Sequence, residues 1–110
     1  MKFPVLVSYA YAREDLDTFA MLANSENVEL LLDCGAFTAK NAGKTILLSD
    51  YCRFLDQWGD RIFRYLALDV VGNPKATDSN LKEMLHAGYS PVPVHVLGDD
   101  QRRMDELFEM

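Results

Sequence analysis

The 110-residue chain reads as an α/β domain of four consecutive βα units with a parallel sheet. Three observations predict this. Apolar runs begin near Phe3, Val28, Ile62 and Val92, a new strand about every 25–34 residues. The segments between them carry apolar residues at helical spacing. Two runs, residues 30–40 (LLLDCGAFTAK) and 65–72 (YLALDVVG), each deliver one carboxylate after an apolar stretch. In parallel α/β proteins the chemistry collects at the carboxyl ends of the strands, so Asp33 and Asp69 are expected to face one pocket.

The elements follow in order. Residues 3–9 (FPVLVSY) form the first strand. Residues 13–24 form a helix, because Leu16, Phe19, Ala20 and Ala23 recur at i, i+3, i+4 and i+7. Its Glu14, Asp15 and Asp17 suit the positive end of the helix dipole, and Asn24 and Ser25 close it. Residues 28–33 are the second strand, apolar on both faces as a buried parallel strand is. Residues 34–45 read as a loop rich in glycine and alanine, long for a βα connection and so a functional candidate. Ser49 is the expected cap of a helix whose Tyr51, Phe54, Leu55 and Trp58 share one face, and Gly59 ends it.

Residues 62–71 hold the third strand, and Gly72, Asn73 and Pro74 turn into a helix with Leu81, Met84 and Leu85 as its buried stripe. Gly88 reads as the glycine just past that helix, with Pro91 shortly after. Residues 92–97 are the fourth strand; Gly98, Asp99 and Asp100 lead into a last helix with Met104, Leu107 and Phe108 on one face. Right-handed crossovers allow two architectures: a small open doubly wound sheet, or half of an eight-stranded barrel. The second, a partial (β/α)8 TIM-type barrel within a single domain of residues 1–110, is the one expected. The sequence stops at Met110 inside a helical pattern, and half a barrel leaves two raw sheet edges. Either a second copy, giving a homo-oligomer, or further chain is therefore expected.

Composition narrows the function. Apolar residues make up 49% and charged residues 25%, an ordinary globular balance. A net charge of −6 gives no bulk support for nucleic-acid binding, although a local basic patch remains compatible with it. No run approaches the roughly 20 apolar residues of a membrane helix or the pattern of a signal peptide, so no membrane partner and a cytoplasmic location are expected. Cys34 and Cys52 form no CxxC pair, so free thiols are expected, with no metal and no cofactor in this chain.

Several residues are candidates for chemistry. Asp33 is either a proton-handling or base-recognising carboxylate, or a cap binding backbone N–H groups. Gly35 and Ala36 let a planar ligand approach the backbone, and Phe37 offers a stacking face or core packing. Asp69 sits in an apolar run and needs hydrogen-bond partners. It either accepts the two adjacent N–H groups of a guanine-like base or caps the turn at Asn73 and Pro74. His95 lies within the fourth strand, where a satisfied core histidine is the plainer reading, and His86 reads as surface. Asp99 and Asp100 read as helix caps. Lys40 and Lys44 either face solvent or hold a phosphate.

Asp33-Cys34-Gly35-Ala36-Phe37 resembles the Asp-Ser-Gly-Gly-aromatic motif of the tRNA-guanine transglycosylases, and Ala67-Leu68-Asp69 resembles that family's second substrate-binding aspartate. With residues 92–100 (VPVHVLGDD), these runs look closest to the shorter phage and bacterial relatives linked to 7-deazaguanine in DNA. The resemblance covers most of residues 28–100. It implies a barrel enzyme that exchanges guanine in a nucleic acid, DNA or tRNA, for a 7-deazaguanine. In that reaction an aspartate attacks the anomeric carbon, guanine leaves, and the deazaguanine displaces the enzyme.

By position, Asp33 would handle the proton and touch the base, and Cys34 and Gly35 would lie against it. Phe37 would stack, Asp69 would read the guanine-like edge, and His95 and Gly98 would line the pocket. Departures are Cys34 for serine, Ala36 for glycine, and Leu97 where the tRNA enzymes carry glutamine. The family's nucleophilic aspartate and zinc cysteines lie on later strands, so these 110 residues are expected to hold part of the base pocket without completing the covalent step. The alternative is a non-catalytic half-barrel that binds a purine-like ligand or assembles with a second chain.

Overall fold

The computed structural model describes residues 2–93, which form a mixed α/β fold with three parallel strands in one sheet. Strand β1 (Phe3–Ser8) pairs with β2 (Val28–Asp33) in parallel, from Phe3 opposite Val28 to Ser8 opposite Asp33. Strand β2 pairs with β3 (Arg64–Tyr65), with Leu32 opposite Tyr65. A parallel bridge joins Leu66 to Val92, so the spatial order follows the order along the chain.

The first strand stops at Ser8, one residue short of the sequence expectation. The Ser8 hydroxyl accepts from the Ala10 N–H at 3.3 Å and caps the short helix α1 (Tyr9–Ala12). Helix α2 (Leu16–Ala23) begins later than expected because Asp15 is its cap, accepting from both Thr18 N–H (3.2 Å) and the Thr18 hydroxyl (2.8 Å). The expected loop over 34–45 contains a helix, α3 (Ala36–Asn41). It ends in a Schellman closure: Lys44 N–H donates to Ala39 C=O at 2.8 Å, and Gly43 N–H to Lys40 C=O at 3.0 Å, with Gly43 at φ 71°.

Helix α4 (Leu48–Trp58) starts one residue before Ser49, with Leu47 at the cap position and no side-chain cap, so Ser49 is a helical residue instead. A 3-10 turn, Gly59–Arg61, follows. The third strand is shorter than expected, because chain 67–71 leaves the ladder after the Leu66 bridge. Helix α5 (Pro74–His86) is capped by the Asn73 side chain, and Gly88 ends it at φ 98°. Of the expected fourth strand only the Val92 bridge is described; residues 94–97 and the expected last helix, with Asp99, Asp100, Met104, Leu107 and Phe108, lie outside the described residues.

The core sits on one face of the sheet. Leu30 and Leu32, which share that face by alternation, cluster with Phe19 of α2, with Tyr51, Phe54, Leu55 and Trp58 of α4, and with Leu81 and Met84 of α5. Edge-to-face aromatic pairs run through it, Tyr9 on Tyr51 at 5.1 Å and Phe19 on Trp58 at 5.2 Å. Leu6 and Leu31 point the other way, and Leu6 remains 66% exposed. Pro4 also blunts the outer edge of β1. The Phe3 N–H points to Asn27 C=O on the β2 side, so alternation turns the missing Pro4 donor outward. No helix among the described residues is long and apolar enough to cross a membrane.

Candidate functional site

The parallel register brings the carboxyl ends of β1, β2 and β3 together, and the chain between them builds a cavity of about 250 Å³. Ala36 and Lys40 of α3 line it, with Lys44, Thr45 and Ile46 of the following turn and Asp69, Val70 and Val71 past β3. A larger cavity of about 640 Å³ lies at the amino ends of the strands, beside Lys2, Glu29 and Arg61. The smaller one is the better site candidate, because it lies at the strand ends where parallel α/β folds place chemistry and contains a fixed carboxylate.

Asp69 is that carboxylate. It is partly buried, and its Oδ1 accepts from the Thr77 hydroxyl at 2.8 Å. Thr77 is itself buried on α5, and its hydroxyl also accepts from the Val70 N–H at 2.8 Å. One hydroxyl therefore fixes both the carboxylate and the backbone after it. Among the described residues Asp69 Oδ2 has no hydrogen-bond partner, and the residue lines the cavity. The Asn80 side chain donates to Leu68 C=O at 3.3 Å and steadies the approach.

Asp33 does not line this cavity, contrary to the expectation that both aspartates share it. Alternation puts Asp33 on the sheet face of Leu31 and Leu6, away from the helices. Its carboxylate has no hydrogen bond or ion pair among the described residues. Between the two strand ends lies Cys34, which is 2% exposed and belongs to the core cluster. Burial pushes the Cys34 thiol up, so it stays protonated at neutral pH. In this position Cys34 is a core residue that presents no side-chain surface to a ligand.

Gly35 is buried in the left-handed conformation at φ 76°, where it precedes α3. A Cβ there would lie 2.7 Å from Ala10 Cβ and 2.8 Å from Ala10 N, and closer still to Ser8 Oγ. The close approach that the sequence suggested for a ligand is made by β1 and α1. Phe37 is 66% exposed and outside the cavity lining, because Ala39, not Phe37, is the buried position of α3. It neither stacks over Asp69 nor packs in the core. His95 and Gly98 lie outside the described residues.

Below the strand ends, Tyr51 is fully buried and its hydroxyl donates to Leu66 C=O at 2.6 Å. Burial foremost pushes that phenol up, so it remains a donor. Beside the cavity, Lys44 Nζ meets Glu14 Oε1 at 3.0 Å, both side chains more than half exposed. Among the described residues no set of three or more His, Cys, Asp or Glu side chains converges as a metal site.

Sequence reasoning missed Thr77, although its position was readable: Thr77, Leu81 and Met84 fall at i, i+4 and i+7 on one helical stripe. Comparison with protein-family models, with curated proteins and with solved structures finds no match to this chain.

Proposed function

We propose that the strand-end cavity holds a guanine-like heterocycle, as the base pocket of an enzyme that exchanges guanine in a nucleic acid for a 7-deazaguanine. The observation that carries this reading is the Asp69 carboxylate, which lines the cavity and is anchored by Thr77 through Oδ1. A fixed carboxylate beside the apolar side chains of Ile46, Val70 and Val71 suits a flat ring with adjacent N–H donors. At about 250 Å³ the cavity falls just under the roughly 300–1,000 Å³ of drug-sized sites, a scale that fits a single base. Asp33, at the neighbouring strand end, is the proton-handling carboxylate in this reading.

The architecture supports a partial barrel as the setting. Strands in sequential order are what a barrel wall has, and α2, α4 and α5 pack on one face of the sheet in a single core cluster. Leu30 and Leu32 are buried under helices while Leu6 on the opposite face is 66% exposed, an asymmetry compatible with a barrel wall. The same open face favours a second reading, assembly of a non-catalytic half-barrel with a second chain. Light scattering on the purified protein separates the two: a monomer up to millimolar concentration removes self-assembly.

Calorimetry with guanosine and 7-deazaguanine tests the base pocket. Asp69→Asn is expected to weaken binding by about 1–3 kcal/mol, the scale of a charged hydrogen bond. Unchanged affinity would remove Asp69 from the pocket and the reading with it.

A further inference from the structure

A neutral base uses the carboxylate and the apolar walls of this cavity but gives its two lysines nothing to bind. Lys40 and Lys44 both line it, against the single carboxylate of Asp69, so the lining carries an excess of positive charge in a chain of net charge −6. Their spacing is fixed by backbone. Lys40 is in the last turn of α3, and the closure through Gly43 sets Lys44 directly after it, with Lys44 N–H on Ala39 C=O at 2.8 Å. Lys40 has no ion-pair partner among the described residues. Lys44 has one, Glu14, in an exposed pair of the kind that exchanges readily with other anions.

We infer that the ligand of this cavity carries a phosphate on its base-bearing sugar, held by Lys40 and Lys44, with the phosphate replacing Glu14 at Lys44. The inference rests on the base reading for Asp69, and it adds the groups that hold the phosphate, so that a nucleotide is preferred to a nucleoside or a free base. Glu14 then acts as a stand-in anion that keeps Lys44 oriented while the cavity is empty. Two mobile ammonium groups suit a phosphate's several oxygens without needing a fixed bidentate geometry.

Calorimetry on the intact chain at low ionic strength, with guanosine, guanosine monophosphate and inorganic phosphate as probes, tests this. The monophosphate is expected to bind about tenfold or more tighter than guanosine, the scale of one charge-assisted hydrogen bond, with the gap closing as salt rises. Lys40→Ala with Lys44→Ala should erase the gap between the monophosphate and guanosine. Glu14→Gln should tighten monophosphate binding, because it removes the competing anion. Both lysines are solvent-exposed, and circular dichroism checks that the double variant is folded.

Guanosine binding with no gain from the phosphate overturns the inference and leaves the base reading standing. Inorganic phosphate binding that the lysine variant abolishes, with no binding of guanosine, overturns the base reading and the nucleotide with it. No binding of any of the three probes overturns both.

Discussion

Gly35→Ala is the most informative perturbation of the strand-end motif. The glycine holds φ 76°, a conformation that disfavours an L-residue by about 1–2 kcal/mol. The added methyl would also meet Ala10 Cβ at 2.7 Å and Ala10 N at 2.8 Å, besides the Ser8 hydroxyl. Two of these neighbours are the cap and the first turn of α1, so the backbone there has to shift; overpacking of this kind costs about 1–3 kcal/mol. Together the loss is about 2–5 kcal/mol, against a total stability of about 5–15 kcal/mol for a domain. Gly43→Ala is the control. It has nearly the same φ, 71°, but no atom within 4 Å of the new methyl, so it should lose only the left-handed part, about 1–2 kcal/mol. Urea unfolding followed by Trp58 fluorescence and circular dichroism measures both. Equal losses in the two variants would refute the idea that Gly35 is required by its contact with β1 and α1.

Tyr51→Phe should cost about 1–3 kcal/mol in the same unfolding assay, because it leaves the Leu66 carbonyl without its 2.6 Å donor in a buried site. Thr77→Val keeps the shape but removes the partner of both Asp69 and Val70 N–H; a loss of about 1–3 kcal/mol is expected, with Thr77→Ser close to the parent. The hydrogen bond and charge of Lys44 hold the Glu14 carboxyl below its ordinary range. Its contribution to folding is therefore present at neutral pH and is lost as pH falls below the ordinary glutamate value through the lowered one. Carboxyl NMR titration should find Glu14 returning upward in Lys44→Ala, and an unmoved titration would remove the pair.

The sequence specified the sheet well where local and tertiary signals agreed. Residues 28–33 are the second strand as expected, because three consecutive leucines bounded by polar residues have few other buried solutions. The contrast between Gly43 and Gly88 shows where legibility ended. Both terminate helices by the same closure, with Tyr89 N–H on Met84 C=O at 2.9 Å matching Lys44 N–H on Ala39 C=O. Gly88 is readable because the apolar pattern of Leu81, Met84 and Leu85 precedes it, although Leu85, expected in the buried stripe, is 41% exposed. Gly43 follows only AFTAKN, too short to display a helical period, so α3 read as loop. Ser49 is helical and not the cap for a related reason. A good capping residue advertises a helix start, but the Leu47 backbone takes that position with no side-chain bond at all.

The same limit explains why the two aspartates read as equivalents. Each follows an apolar run, and sequence cannot tell which way the last residue of a strand turns. The ladder decides it for Asp33, which alternation places opposite Ser8 on the uncovered face. Asp69 lies beyond the ladder, where Thr77 from α5 fixes its carboxylate toward the helices. Cys34, between Asp33 and the cavity residue Ala36 in sequence, is buried in the core. A fixed carboxylate suits recognition, since its geometry is set before the ligand arrives. A carboxylate without a fixed partner suits proton transfer, since it is free to change its hydrogen bonding during a reaction. A ligand that used both would have to cross the ends of β2 and β3 above Cys34. Its recognised edge would lie in the cavity and its reacting atoms over the face that carries Leu6 and Leu31.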